Sequence, residues 1–258
     1  MLAALTAVTA ASAQVRLLSV EDEIQIGRES QKEVHRRLPE LSDGEVTAYV
    51  ESIGRRLAAR AGGPRYPYSF TVVNYREINA FALPGGPVWI HRGAIAAAAN
   101  EAQLAAVLAH EIAHVSQRHA ADQFTKHIVA NGLIGLLGAM LGNGSSAQTA
   151  QTGARVLAGG YMLKFSREDE FQADTAGAAI MRKAGWDARE MIAFMQTLRR
   201  EQGRDPGSLE VFLSSHPATD DRVRRLTTSL RGGGTKDTRR FRQIKARLSK
   251  LPPARSMR

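Results

Sequence analysis

The segment HEIAHVSQRH, residues 110–119, contains residue types whose spacing could support catalysis. Residues four positions apart lie on the same face of an α-helix, so His110 and His114 can present their imidazoles to one metal ion. Zinc is commonly bound by two imidazoles and a carboxylate, with a fourth position open to water. Glu111, next to the first histidine, could take a proton from that water as a general base. The pattern predicts one catalytic zinc ion per chain.

The alternative interpretation is that these polar residues fall by chance on the solvated face of a helix. The neighbouring positions argue against it, because they are all apolar or small: Leu104, Val107, Leu108, Ala109, Ile112, Ala113 and Val115. A helix of this composition is expected to be buried, and buried polar groups need partners. A metal ion would supply that partner.

A third ligand must come from elsewhere, and the segment SREDEFQADTAGAAIMRKAG, which begins at Ser166, offers one. Glu170 and Asp174 are also four positions apart and share a helical face. Glu170 is the candidate third ligand. Asp174 could accept a hydrogen bond from the outer nitrogen of a ligating histidine, as carboxylates often do around bound zinc.

Periodicity and turn residues predict the elements that must position these side chains. Helices are expected over roughly 19–38, 46–57, 100–124, 167–184, 187–201 and 218–230. The segment 68–74 is predicted to be a strand, and 79–95 a hairpin or two short strands that turn at Gly85-Gly86 and lie at a sheet edge. The fold class is therefore α+β, mostly helical with a small edge β-sheet.

Two segments lie outside this pattern. Residues 128–141 are apolar and precede a Gly/Ser/Gln/Thr-rich stretch, and fourteen residues are too few to span a bilayer comfortably as a helix. A mobile hairpin or lid over 128–160 is favoured over membrane contact. Residues 1–13 end in Ala-Ser-Ala before Gln14, which is typical of a secretory signal. The alternative is an alanine-rich helix that is not exported, since the basic start of a signal is absent.

The net charge of +10 is concentrated at one end of the chain. Residues 231–258 hold ten Lys or Arg and one Asp, which gives +9 and leaves +1 for the other residues. We expect a domain over 14–230 and a basic C-terminal tail over 231–258, either a solvated extension or a contact for anionic lipid or nucleic acid. No nucleic-acid motif accompanies it, so no nucleic-acid partner is expected. The absence of cysteine excludes disulfides and thiolate–metal sites.

Taken in order, HEIAHVSQRH, EFQAD and SSHPATDDR resemble the motifs of the M48 peptidases, and the similarity spans roughly residues 19–230. It includes NAFALPGGPVWIHRG, residues 79–93. The resemblance implies a zincin-like metalloprotease, with His110, His114 and Glu170 as zinc ligands and Glu111 as catalytic base. It also implies that Asp174 is the acidic residue that accepts a hydrogen bond from a zinc-binding histidine.

Within that family the chain is similar to the secreted or periplasmic members and to the mitochondrial quality-control relative. The resemblance therefore implies a periplasmic zinc endopeptidase that degrades unfolded or misassembled envelope proteins, with peripheral membrane contact as an open question. The oligomeric state is left open.

The resemblance also places His216 of the SSHPATDDR segment beside the zinc. His216 could occupy the water position and keep the enzyme closed, or it could stabilise the oxyanion of the reaction. Arg222 of the same segment could stabilise the oxyanion or anchor the segment through an ion pair, and an active-site role is preferred for both residues. His119 is expected to point away from the metal-binding face, because it lies five positions after His114.

A second hypothesis comes from a different functional class. The chain could be a metal-binding chaperone or assembly factor of the envelope with little proteolysis, whose tail and apolar 128–141 segment bind clients or membrane. Glu111 favours the peptidase, because a purely structural metal site needs no base.

Overall fold

The computed structural model describes residues 17–130, 164–217 and 220–257, with side chains up to Lys126 in the first range. The helices are α1 Val20–Arg37, α2 Gly44–Ala58, α3 Arg92–Ala97, α4 Glu101–Ser116, α5 His119–Ala130, α6 Arg167–Lys183, α7 Glu190–Arg204, α8 Glu210–Ser215, α9 Asp220–Ser229 and α10 Arg239–Leu248. The strands are β1 Ser69–Val73, β2 Ala80–Ala82 and β3 Pro87–His91, and a 3₁₀ turn, Pro206–Ser208, precedes α8. The predicted class, mostly helical α+β with a small sheet, is confirmed.

The sheet has the order β1-β3-β2, with β1 parallel and β2 antiparallel to β3. The predicted hairpin is therefore present, and β2 lies at one edge of the sheet. Gly85 and Gly86 form its turn with φ of +77° and +125°, a region that favours glycine. At the other edge, backbone hydrogen bonds join the segment around Glu40 to β1.

Helix α4 is the central element, and every one of its residues is buried. It packs against α2, α6, α7 and the edge strand β2. Small side chains permit this crowding: a Cβ at Gly177 of α6 would lie only 3.2 Å from the carbonyl oxygen of Ala109. The close approach of α4 and α6 brings the two candidate ligand segments together.

The continuous helix predicted over 100–124 is wrong, because α4 ends at Ser116 and α5 begins at His119. Between them Arg118 has a φ of 65°, a conformation that costs a non-glycine residue about 1–2 kcal/mol. Its guanidinium donates to the Glu23 carboxylate and to the Leu18 carbonyl, both at 2.6 Å. These tertiary contacts hold a turn that local sequence does not favour.

The solvated extension expected after residue 230 is also wrong for most of that segment. Helix α10 is amphipathic, and its apolar residues Phe241, Ile244 and Leu248 are buried in the main core. Thr238 caps the helix by accepting from the Phe241 backbone and donates to Glu101, the first residue of α4. The basic residues of α10 lie on the outside of a helix that completes the core.

The expected signal at 1–13 lies outside the described residues, as does nearly all of the expected lid at 128–160. Among the residues that the structure describes, no helix is long and apolar enough to cross a membrane.

Candidate metal centre

Helices α4 and α6 bring the three predicted metal ligands into contact. His114 Nε2 lies 3.0 Å from His110 Nε2 and 3.3 Å from a carboxylate oxygen of Glu170. His110 Nε2 lies 3.4 Å from the other oxygen of Glu170. All three side chains are buried, and His110 Nδ1 and one oxygen of Glu170 have no partner in hydrogen-bond geometry among the described residues.

His216 joins this cluster from the C-terminal end of α8. Its Nδ1 lies 2.9 Å from a Glu170 oxygen and 3.3 Å from His110 Nε2. Phe212, one turn earlier, stacks on its ring with the centroids 5.1 Å apart. One ligand atom from each of His110, His114, Glu170 and His216 lies within 4.8 Å of the other three.

The chemistry of this donor set fits a divalent metal ion. Three imidazole nitrogens and a carboxylate oxygen converge in a buried space. The Nε2 atoms of His110 and His114 face each other there. When both rings are neutral and have their lone pairs on Nε2, these two nitrogens repel each other at this distance unless a cation binds both. Nitrogen and oxygen donors of this kind suit zinc and several other divalent metals.

The electrostatics of the cluster are dominated by burial and by mutual charge. Burial alone would lower the pKa of His110, but the carboxylates of Glu170 and Asp174 outweigh it and raise that pKa to about 10. Burial lowers the pKa of His114 well below its usual value. Burial opposes ionisation of Glu170 too, but His216 and His110 hold its pKa far below the ordinary value. Glu170 is therefore ionised and available to a cation.

Glu111 lies beside the cluster and is 1% exposed. Neither of its carboxylate oxygens has a hydrogen-bond partner among the described residues, and His216 Nε2 lies 3.8 Å from one of them. Glu111, His110 and His216 line a cavity of about 30 Å³, which is room for about one water molecule. The other walls are mostly apolar, with residues such as Met191 and Phe194. A buried carboxylate without donors in such a cavity is well placed to accept a proton.

Asp174 lies where the spacing predicts, behind the first histidine. Its Oδ1 is 3.1 Å from His110 Nδ1, and Arg222 binds both of its oxygens at 2.7 Å. Arg222 also contacts Glu170 at 2.6 Å and donates to the carbonyl of Pro217 at 3.1 Å. This geometry favours the anchoring alternative for Arg222, because its guanidinium is engaged by the two carboxylates and the backbone of its own segment.

The expectation that His119 points away from the site is wrong. Its ring is 1% exposed, and its Nδ1 lies 2.9 Å from His114 Nδ1. The expectation assumed an unbroken helix, whereas the turn at Arg118 brings His119 back towards α4. Phe165 is a further contact that the sequence reasoning missed: its ring stacks on His114 with the centroids 4.0 Å apart. The polar run Ser-Gln-Arg at 116–118, between two apolar stretches, is the signal that indicates the break.

Comparison with known proteins agrees with this geometry. Residues 45–230 match the model of peptidase family M48. The chain is 34% identical over 211 residues to the beta-barrel assembly-enhancing protease of Yersinia pestis and 31% identical to that of Escherichia coli K12; both comparisons cover 80% of this chain and 43% of the relative. It is 30% identical over 214 residues to the mitochondrial metalloendopeptidase OMA1 of Schizosaccharomyces pombe, which covers 81% of this chain and 61% of the relative. The chain thus spans less than half the length of these bacterial relatives.

Proposed function

Because the chain belongs to peptidase family M48, we propose that it is a zinc-dependent endopeptidase that cleaves unfolded or misassembled proteins of the cell envelope. The observation that carries this proposal is the buried convergence of two helical histidines and a glutamate beside Glu111, whose carboxylate has no hydrogen-bond partner among the described residues. Such a set combines metal-binding groups with a proton acceptor in one small volume.

His110, His114 and Glu170 would hold one zinc ion per chain. When bound, the ion supplies Lewis acidity, which polarises the scissile carbonyl and lowers the pKa of a water molecule. Glu111 takes the proton from the attacking water and delivers it to the leaving amine, as its position in the small cavity allows. Asp174, held by Arg222, orients His110 through its outer nitrogen.

The substrate would bind along β2. The backbone groups of Asn79 and Leu83 bond to β3, and antiparallel strands alternate in this respect, so the backbones of Ala80 and Ala82 face away from the sheet. A peptide that adds as a further strand is recognised mainly through its backbone. This mode requires an extended substrate and therefore favours unfolded chains over folded neighbours.

His216 is proposed to restrain the enzyme at rest. Its Nδ1 lies among the ligand atoms and its Nε2 faces Glu111 at 3.8 Å, so a single ring contacts both the metal-binding cluster and the base. A neutral imidazole at the fourth position would displace the water that the reaction needs. The alternative is that the same ring donates a hydrogen bond to the oxyanion of the reaction.

The envelope assignment rests on two supports. The bacterial relatives are named for assembly of beta-barrels, and residues 1–13 have the pattern of an export signal. We therefore place the protein in the periplasm, with peripheral membrane contact as a further proposal.

Substitution of Glu111 by Gln tests this function against the chaperone hypothesis. Gln preserves the shape of the side chain but cannot accept the proton, so Glu111→Gln should bind zinc as the native protein does and fail to cleave an unfolded protein. If Glu111→Gln cleaved at the native rate, the peptidase mechanism would be wrong. Native protein that holds zinc and protects clients without cleaving them would support the chaperone.

A further inference from the structure

His119 is a buried histidine to which the reaction described above gives no role. It is the first residue of α5 and is 1% exposed. Its Nδ1 lies 2.9 Å from His114 Nδ1, and its Nε2 lies 3.3 Å from the side-chain oxygen of Gln172 on α6. Phe165 contacts both rings, with centroids 4.0 Å from His114 and 6.1 Å from His119. The pair of imidazoles is therefore enclosed, with few other partners.

These contacts determine where the hydrogens lie. His114 Nε2 faces His110 and Glu170, so it is the nitrogen that would bind the metal ion. A neutral imidazole has one N–H, and a lone pair on Nε2 puts that hydrogen on Nδ1. His114 Nδ1 then donates to His119 Nδ1. The hydrogen of His119 must in turn be on Nε2, where the oxygen of Gln172 accepts it.

We propose that His119 is a positioning residue which, together with Gln172, fixes the tautomer of His114 and holds its Nε2 towards the metal ion. The inference rests on the proposed metal site. It extends to His114 the role that Asp174 has for His110, but with an uncharged partner.

The difference between the two partners has a consequence for the charge of the site. The carboxylate behind His110 is balanced by Arg222, and the partner behind His114 is a neutral ring that ends on an amide. Glu170 is then the only charged residue among the three proposed ligands. A carboxylate bonded directly to His114 in place of the neutral His119 ring would reduce the Lewis acidity on which the reaction depends.

The test is the dissociation constant for Zn²⁺, measured with the full chain by competition with a chromophoric chelator. His119→Ala should raise this constant by about 10–100-fold, as loss of a partner behind a ligand does. His119→Asn should bind more tightly than His119→Ala, because the amide oxygen of Asn can accept the His114 N–H close to the position of the lost Nδ1. Thr125→Val is the matched control, since Thr125 lies later on the same helix and its hydroxyl, among the described residues, bonds to the backbones of Leu17 and Ala121.

The Thr125→Val variant should bind Zn²⁺ as the native protein does. Native affinity in His119→Ala, or equal affinities in folded His119→Ala and His119→Asn, would overturn the inference. Gln172 is exposed, so Gln172→Leu leaves the core intact and provides a second measurement if the His119 variants do not fold. Gln172→Leu should also weaken the binding of Zn²⁺. An unchanged dissociation constant would contradict the proposed hydrogen bonds from His114 to His119 and from His119 to Gln172. Failure of the metal site itself looks different, because native protein and His110→Ala would then bind Zn²⁺ equally weakly.

Discussion

At the residue scale, the candidate metal centre combines charged groups that are costly to bury singly but compensate one another when they are buried together. Glu170 contacts the two histidines of α4 and also His216 and Arg222. Its charge is therefore compensated from several sides. An isolated buried carboxylate would shift its pKa upward and lose its charge. The mutual contacts explain why the chain can hold these residues in its most buried region.

Substitution of a ligand should differ from substitution of the residue behind it. His110→Ala, His114→Ala and Glu170→Ala should each abolish stoichiometric zinc, because each removes one of the three proposed ligands, and His216 is proposed only to displace the water at the remaining position. Asp174→Asn should weaken zinc binding by about 10–100-fold while it keeps the shape that Arg222 contacts. Elemental analysis of the purified variants separates the two classes. Full zinc in Glu170→Ala would show that the third ligand is another residue.

Replacement of His216 distinguishes the two roles that remain open for it. If the ring restrains the resting enzyme, His216→Ala should cleave an unfolded protein faster than native protein does. If the ring instead stabilises the oxyanion, cleavage should fall by about 10²–10³-fold. Initial rates at equal zinc occupancy decide between these results. An unchanged rate would exclude both roles.

At the element scale, the site depends on how closely α4 and α6 approach and on how each begins. Asn100 caps α4 by accepting from the Gln103 backbone, and Ser166 and Asp169 form a capping box for α6. Such caps, like the helical spacing of the candidate ligands, are local features that a sequence pattern can indicate. The break at Arg118 is not local, since its unfavourable φ is held by Glu23 and Leu18, about a hundred residues earlier in the chain.

The C-terminal helix is the element whose role the sequence pattern conceals most. Its high charge suggests a solvated tail, but the spacing of its three apolar residues places them on one buried face. Three of its basic side chains, Arg240, Lys245 and Arg247, also reach partners on the body, such as Arg247 with Asp43 at 2.8 Å. Charge composition describes the outer face of such a helix, whereas its periodicity describes what it packs against.

Phe241→Ala should destabilise the whole fold by about 3–5 kcal/mol, because it removes a fully buried aromatic ring from the core. Gln243→Ala, on the exposed face of the same helix, is the control and should change stability by less than about 0.5 kcal/mol. Urea unfolding measures both. Removal of residues 232–258 should likewise lower stability; a truncated chain as stable as the full chain would contradict the packing of α10.

At the scale of the whole molecule, most of the fold class and the membership of the metal cluster could be predicted from sequence. Helix existence follows from periodicity, and the candidate ligands, which the structure brings together, follow from their spacing and from the resemblance. The strand order could not be predicted. Strand β3 is central only because β1 pairs with it in parallel, and 13 residues separate these two strands in the chain. The contact of His119 with His114 depends on that same kind of tertiary information.

The proposed location makes a prediction about the mature chain. If residues 1–13 are an export signal, the protein from its native host should begin at Gln14. Mass spectrometry of the intact purified protein measures this directly. A mature chain that retains Met1 would contradict the export signal. The names of the relatives would then be the one remaining support for the envelope assignment.

The central claim is that a metal ion held by His110, His114 and Glu170 lets this chain cut peptide bonds. The most direct measurement combines zinc analysis with cleavage of an unfolded protein before chelation, after chelation and after zinc is restored. We expect one zinc per chain and cleavage that disappears with the zinc and returns with it. Cleavage that persists at the original rate in zinc-free protein would contradict the claim.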